Sequence, residues 1–264
     1  MPTRLGYAHS VLWRGDRLYR RSLYLGPQIV AVLLAAWLLV PDAGSPPVAA
    51  GDAAPWSQVE SDDDMWDAVN ALRNRAMTDS NALKELDSLA SAGNPYAQFG
   101  MGYLADPASG QHPTINANIQ LAEKGYQDAA NQGNVWGTAD LGWLYTLGRG
   151  QMLASNPAKG IPLLQEAANK DNTWAMYVLG LAAQQGLGGP KDQATAVRWF
   201  EKAAQNTPSQ PDAAYQLGLA YSTGNGVTQD ADKAEQWMNA AAQNGDAAAK
   251  QWLDDAAKPN PPKD

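Results

Sequence analysis

The chain has no cysteine among its 264 residues. That excludes disulfides, thiolate metal sites, a cysteine nucleophile and an anchor carried on a lipid-modified cysteine. It does not exclude an oxidising compartment, because a large domain can fold without crosslinks. Histidine is nearly missing as well, with only His9 and His112 in the chain. A histidine-rich zinc centre therefore cannot be assembled. A Ser-His-Asp triad could be built only around His112, and no serine stands in a nucleophile-elbow pattern. His112 reads as a solvated loop side chain. Phenylalanine occurs twice, whereas alanine, glutamine and glycine are abundant. This composition favours alanine-rich helices that approach one another closely. Positive charge is the other scarcity. The formal charge is -8, yet residues 1–22 hold Arg4, Arg14, Arg17, Arg20 and Arg21 against Asp16 alone. The rest of the chain is thus more acidic than the total, which disfavours binding to phosphate backbones.

There is one long apolar run, Ile29 to Val40. Counted back to Leu23 it reaches 18 residues, with Gly26, Pro27 and Gln28 inside it. A helix needs about 20 apolar residues to cross a bilayer, within a range of roughly 17–25. Arginines before the run and acids after it put the N-terminus in the cytoplasm and the remainder across the membrane. The expected organisation is a basic leader over 1–22, a membrane anchor or signal helix over 23–40 and a flexible linker over 41–60 that begins at Pro41. The alternative is a signal peptide cleaved at Val48-Ala49-Ala50, which would release a soluble periplasmic protein. Arg20-Arg21 also raises a twin-arginine export signal, though the residues after the pair fit it poorly. A buried core helix is disfavoured, since no amphipathic partner segment lies nearby.

The remainder repeats. QFGMGYLA, ADLGWLYTLGRG, YVLGLAAQQGLGG and YQLGLAYSTGNGV align on Gly102, Gly142, Gly180 and Gly218, spaced 40, 38 and 38. A double alanine recurs at Ala129-Ala130, Ala167-Ala168, Ala203-Ala204 and Ala241-Ala242, spaced 38, 36 and 38. The distance from glycine to alanine varies as 27, 25, 23 and 23 residues, so a loop of variable length joins two helices. Glycine costs about 1 kcal/mol against alanine inside a helix, so its recurrence needs a packing reason. Ala97, Gly137, Ala175 and Ala213 stand five positions earlier. Together the two small positions are expected to let the second helix of the pair come close. Gly148-Arg149-Gly150, Gly186-Leu187-Gly188 and Gly224-Asn225-Gly226 end the first helices. Asn156, Asp192 and Asp230 start the second helices. Trp143, Trp199 and Trp237 read as core.

The unit LGLAYSTGNGVTQDADKAEQWMNAAAQNGDAAA resembles the Sel-one-like repeat family, a relative of tetratricopeptide repeats, through LG..Y..G.GV, D..KA and W...AA..G. Unit three departs at Gly189 and Thr195, unit two at Gly160 and Leu163, and unit one at Gly125 with its longer loop ADPASGQHPTIN. Residues 62–92, with Met65, Val69, Leu72, Leu83, Leu86 and Leu89, read as a degenerate leading pair, and 246–256 as a closing helix. The resemblance implies an all-α fold: a right-handed superhelical solenoid of four to five helix pairs over 61–256, before a disordered tail over 257–264. It implies a scaffold that holds other proteins together in bacterial export, envelope or signalling assemblies, with no cofactor.

Nothing in the residue pattern selects chemistry. The GxG pairs lack a following Lys-Ser/Thr, Asp62-Asp63-Asp64 reads as acids at a helix N-terminus, and no carboxylate pair is singled out for glycan hydrolysis. The expectation is a non-enzymatic protein with no metal and no nucleic acid partner, bound to another protein in a membrane or periplasmic complex. It would sit single-pass in the bacterial inner membrane. Alternatives are an immunity or inhibitor protein against a toxin or envelope hydrolase, and a cell-wall or polysaccharide-associated protein. Six positions before each marker glycine the series reads Tyr96, Trp136, Trp174, Asp212. Its aromatic rungs, with Asp140 and Val178 one turn on, form the candidate protein-binding surface: Tyr96, Trp136, Asp140, Trp174 and Val178. The opposing reading packs Trp136 and Trp174 against the preceding helix.

Overall fold

The computed structural model describes residues 62–206 and 211–257. The anchor, linker and tail expected from the sequence lie outside these residues. No helix among the described residues is long and apolar enough to cross a membrane. Among the described residues, eleven α-helices follow one another without a strand. They are α1 (Asp62–Ala76), α2 (Ser80–Ser91), α3 (Pro95–Ala105), α4 (Ile119–Asn131), α5 (Val135–Leu147) and α6 (Pro157–Ala168). The rest are α7 (Thr173–Gln185), α8 (Gln193–Asn206), α9 (Pro211–Thr223), α10 (Ala231–Gln243) and α11 (Ala247–Ala256). Each helix packs on the next, while α1 also meets α3 and α5 meets α7. The result is a solenoid of five helix pairs closed by a single helix.

Local chemistry sets where the helices start and stop. The odd helices α3, α5 and α7 open on Asn94, Asn134 and Asn172, and α11 on Asp246; each side chain accepts a first-turn backbone N–H. Asn156 and Asp230 cap α6 and α10 as expected, and the Asp192 carboxylate accepts from the Thr195 N–H at 2.9 Å. Asn118 does the same for α4. At the other end of α7, Gly186 adopts the left-handed conformation at φ 75° and ψ 33° that closes the helix.

The two small-residue markers serve different neighbours, which corrects the sequence reading. A Cβ on Gly102, Gly142, Gly180 or Gly218 would stand 2.9, 2.9, 2.4 or 2.8 Å from Tyr126, Leu164, Phe200 or Met238, in the second helix of the same pair. A Cβ on Gly137 would instead stand 2.7 Å from the Ala129 Cβ and 3.1 Å from the Ala130 nitrogen, in the preceding pair. Five residues rotate a helix by about 500°, so the two positions differ by about 140° around the axis and cannot face one partner. The double alanine is therefore the seat of the next pair's first helix.

A second correction follows. Trp199 and Trp237 are half-buried rather than core, and the Lys202 ammonium stands 4.5 Å over the Trp199 ring. The residues that fill the core against the marker glycines are one position further on: Tyr126, Leu164, Phe200 and Met238, all buried. Trp143 is buried as expected.

Buried residues gather into one cluster spanning α1 to α5 and another spanning α5 to α9, with Trp136 packed against both. Adjacent pairs are also pinned by polar contacts. Tyr145 donates its hydroxyl to Glu123 of the preceding pair at 2.6 Å, and Tyr221 does the same to Glu201 at 3.3 Å. Lys159 and Lys233 cover the same rings at 5.3 and 5.1 Å. The long loop after α3 folds back, and its Thr114 hydroxyl donates to the Ala76 carbonyl at the end of α1. At the far end, Asp254 stands eight residues after its helix cap, where α3, α5 and α7 carry the marker glycine. A charged side chain there bars a further helix from the close approach that glycine allows.

Candidate functional site

The odd helices carry an aromatic wall. On α1, Trp66 lies parallel to Trp136 of α5, with centroids 5.8 Å apart and planes 9° apart. Tyr96 of α3 meets Trp66 edge-on at 5.8 Å. Phe99, also of α3, packs beneath Trp66 at 5.8 Å. Trp66, Tyr96 and Trp136 are each half-buried, so part of all three rings faces outward. Further along, Trp143 and Trp174 meet edge-on at 5.3 Å, and Trp174 leans on Tyr177 at 5.5 Å.

The five sequence-derived residues separate into two groups. Tyr96 and Trp136 lie together at the half-exposed end, through Trp66. Asp140, Trp174 and Val178 are buried, with Trp174 retaining 3 % of its surface and the other two none. Sequence spacing did not anticipate Trp66, which precedes the repeat and has no aligned marker. Its signal was an aromatic residue inside an acidic helix start, DDDMWD.

Beneath the wall lies a buried charged cluster. Arg149 binds Asp106 through two nitrogens, Nε to Oδ1 at 2.8 Å and Nη2 to Oδ2 at 2.7 Å, while its guanidinium lies 3.9 Å over the Trp143 ring. The Tyr126 hydroxyl donates to the same carboxylate at 3.3 Å. Arg73 of α1 lies 4.5 Å over the Tyr103 ring, within electrostatic reach of Asp140. Burial pushes the pKa of Arg73 down, and Tyr103 and Asp140 oppose that shift. Burial raises Tyr103 and Tyr126 for the converse reason, helped by the nearby carboxylates.

His112 is half-buried rather than solvated, and its Nε2 stands 3.1 Å from the Ser109 hydroxyl. This pairing does not make a nucleophile. The Ser109 hydroxyl donates its proton to the Asp106 carbonyl at 2.8 Å, so its oxygen accepts from the imidazole N–H. The Asp106 carboxylate is held by Arg149, Tyr126 and the Ala108 N–H, which leaves the serine and histidine without an orienting acid from that side chain. Burial and the Arg73 charge hold His112 below its usual pKa. Among the described residues no three histidines or carboxylates gather as a metal site would need.

Residues 137–172, 175–207 and 211–246 match the Sel1 repeat, so the chain carries Sel1 repeats in an all-α solenoid. Among solved structures, the Sel1 repeat protein from Oxalobacter formigenes is similar at 28 % identity, covering 72 % of this chain and 74 % of that one, with a TM-score of 0.59. A protective antigen present in uropathogenic Escherichia coli strains, described as displaying an SLR fold, is 27 % identical over 65 % of this chain with a TM-score of 0.54. The match spans 35 % of that antigen's length. An immunity protein from Pseudomonas aeruginosa superposes at a TM-score of 0.48 with 17 % identity over 69 % of this chain and 68 % of that one, too loosely to bear on function. Comparison with curated proteins gives no match.

Proposed function

We propose that this chain is a non-enzymatic protein-binding scaffold, an accessory subunit of a bacterial envelope complex. The observation that carries the reading is the half-exposed trio Trp66, Tyr96 and Trp136, which crosses three consecutive odd helices on an otherwise buried wall. Flat aromatic rings supply contact area at little entropic cost and dominate many interfaces. Asp140, Trp174 and Val178 support that surface from behind. The envelope location rests on the arginine-bearing leader and the apolar run over 23–40, with the solenoid in the periplasm. The sequence similarity to bacterial Sel1 repeat proteins supports a bacterial setting.

The test is affinity purification of the tagged full-length protein from native membranes in mild detergent. A Trp66→Leu, Trp136→Leu variant, checked by circular dichroism, is purified beside it. A stoichiometric partner that the variant loses supports both the scaffold and the surface. A partner kept by both leaves the scaffold and removes the trio. Absence of a partner from both, with a hydrolase or toxin activity inhibited by the protein, replaces the scaffold with an inhibitor.

A further inference from the structure

The aromatic wall already holds two guanidinium groups of its own, and both are held in the same way. Arg149 lies flat on Trp143 with its nitrogens on Asp106. Arg73 lies over Tyr103 with Asp140 in electrostatic reach. In each case the planar cation stands between a ring face and a carboxylate, an arrangement that suits arginine and not the compact ammonium of lysine. The half-exposed trio offers the aromatic part of this arrangement outward. Helix α1 supplies carboxylates on either side of Trp66 in sequence, Asp64 exposed and Asp67 half-buried. The chain carries a charge of -8, and its arginine-rich leader is the positive exception. The long-range field of the solenoid therefore draws cations in.

We propose that Trp66, Tyr96 and Trp136, flanked by Asp64 and Asp67, bind an arginine-bearing extended segment of a partner protein. This rests on the scaffold reading and adds the chemistry of its ligand. The occupant is a segment in trans. The rings recognise guanidinium by stacking and cation–π attraction, and the carboxylates complete the recognition by charge-assisted hydrogen bonds.

The probe is a short synthetic peptide bearing arginines, titrated against the full-length protein in detergent by calorimetry and tryptophan fluorescence. Two matched peptides replace arginine by lysine or by neutral citrulline. The arginine peptide is expected to bind in a salt-sensitive manner, the lysine peptide more weakly, and the citrulline peptide not at all. Trp136→Leu and Asp67→Asn should each weaken binding by about tenfold, since contacts at the centre of an interface commonly carry that much. If Trp136→Leu lowers the unfolding midpoint, Trp136→Phe keeps an aromatic face and should retain binding, while Asp67→Asn tests the acid side alone. Equal binding of arginine and citrulline peptides, or normal binding by both variants, overturns the proposal. So does tighter binding by a chain with Arg14, Arg17, Arg20 and Arg21 changed to glutamine, because the chain's own leader would then be the occupant. A co-purified partner that the arginine peptide fails to displace leaves the scaffold standing and removes the arginine chemistry. Peptide binding in a protein that co-purifies with nothing does the reverse.

Discussion

Changing Arg149 to methionine tests how the first two repeat units are held together. Arg149 and Asp106 lie 43 residues apart in two successive interhelical loops, and their side chains keep 7 % and 0 % of their exposure. Removing one member of such a buried pair leaves the other charge without its counterion, which costs about 3–5 kcal/mol. Asp106 keeps the Ala108 N–H at 2.9 Å and the Tyr126 hydroxyl at 3.3 Å, so the lower end applies. For a domain of this size that is a loss of about 6–12 °C in Tm, at roughly 2–4 °C per kcal/mol. Arg149→Lys should cost less, about 1–2 kcal/mol, because a point charge can neither bind two oxygens in parallel nor lie flat on Trp143. Adding Asp106→Asn to Arg149→Met removes the stranded charge, and should recover about 2 kcal/mol relative to the sum of the single losses. The assay is urea unfolding followed by tryptophan fluorescence, with hydrogen exchange to locate the opening around residues 106–118 and 148–156. A single-variant loss below about 1 kcal/mol, the range of an exposed pair, would refute the reasoning. Additivity of the two changes would do so as well.

Three further outcomes are expected. Gly160→Ala should destabilise more than Gly180→Ala, because its Cβ meets the Gly142 oxygen and Thr146 nitrogen at 2.5 Å, whereas Gly180 meets the Phe200 ring at 2.4 Å, which can shift. Overpacking of this kind costs about 1–3 kcal/mol, and Gly189→Ala, with nothing within 4 Å, should be neutral in thermal unfolding. In alkaline titration by ultraviolet absorbance, Tyr145 should ionise near 12, raised by burial and then by its hydrogen bond to Glu123. Its folded pKa exceeds the unfolded value of about 10, so its contribution is full below pH 10 and is lost as pH rises toward 12; Tyr145→Phe should abolish that dependence. His112 has the opposite sense, because burial and Arg73 depress its pKa in the fold. The unfolded chain binds the proton more readily, so stability should fall as pH drops below about 6.5, and His112→Gln should flatten the urea midpoint between pH 7.5 and 5.

Much of the helical layout was legible in the sequence, because it depends on local backbone chemistry. Asn156, Asp192 and Asp230 accept first-turn N–H groups, and Gly186 takes a left-handed conformation, whatever lies beyond the next turn. Marker glycines at nearly constant spacing likewise disclosed a repeated close approach, since only a recurring contact explains a recurring cost inside a helix. Which helix makes each contact was a different question. A step of one residue rotates a side chain by about 100°, so Phe200 rather than Trp199 reaches the core and Gly137 faces the pair before its own.

The charged cluster and the aromatic surface were decided by tertiary structure alone. Arg149 meets Asp106, and Trp66 meets Trp136, only because successive pairs are rotated so that distant segments converge. The same rotation buries Trp174 and leaves Trp136 half open, although the two occupy one position of the repeat. Spacing along the chain assigns equivalent positions to equivalent residues. The number of neighbours packed around each of them sets its exposure, and this differs between the ends and the middle of a solenoid.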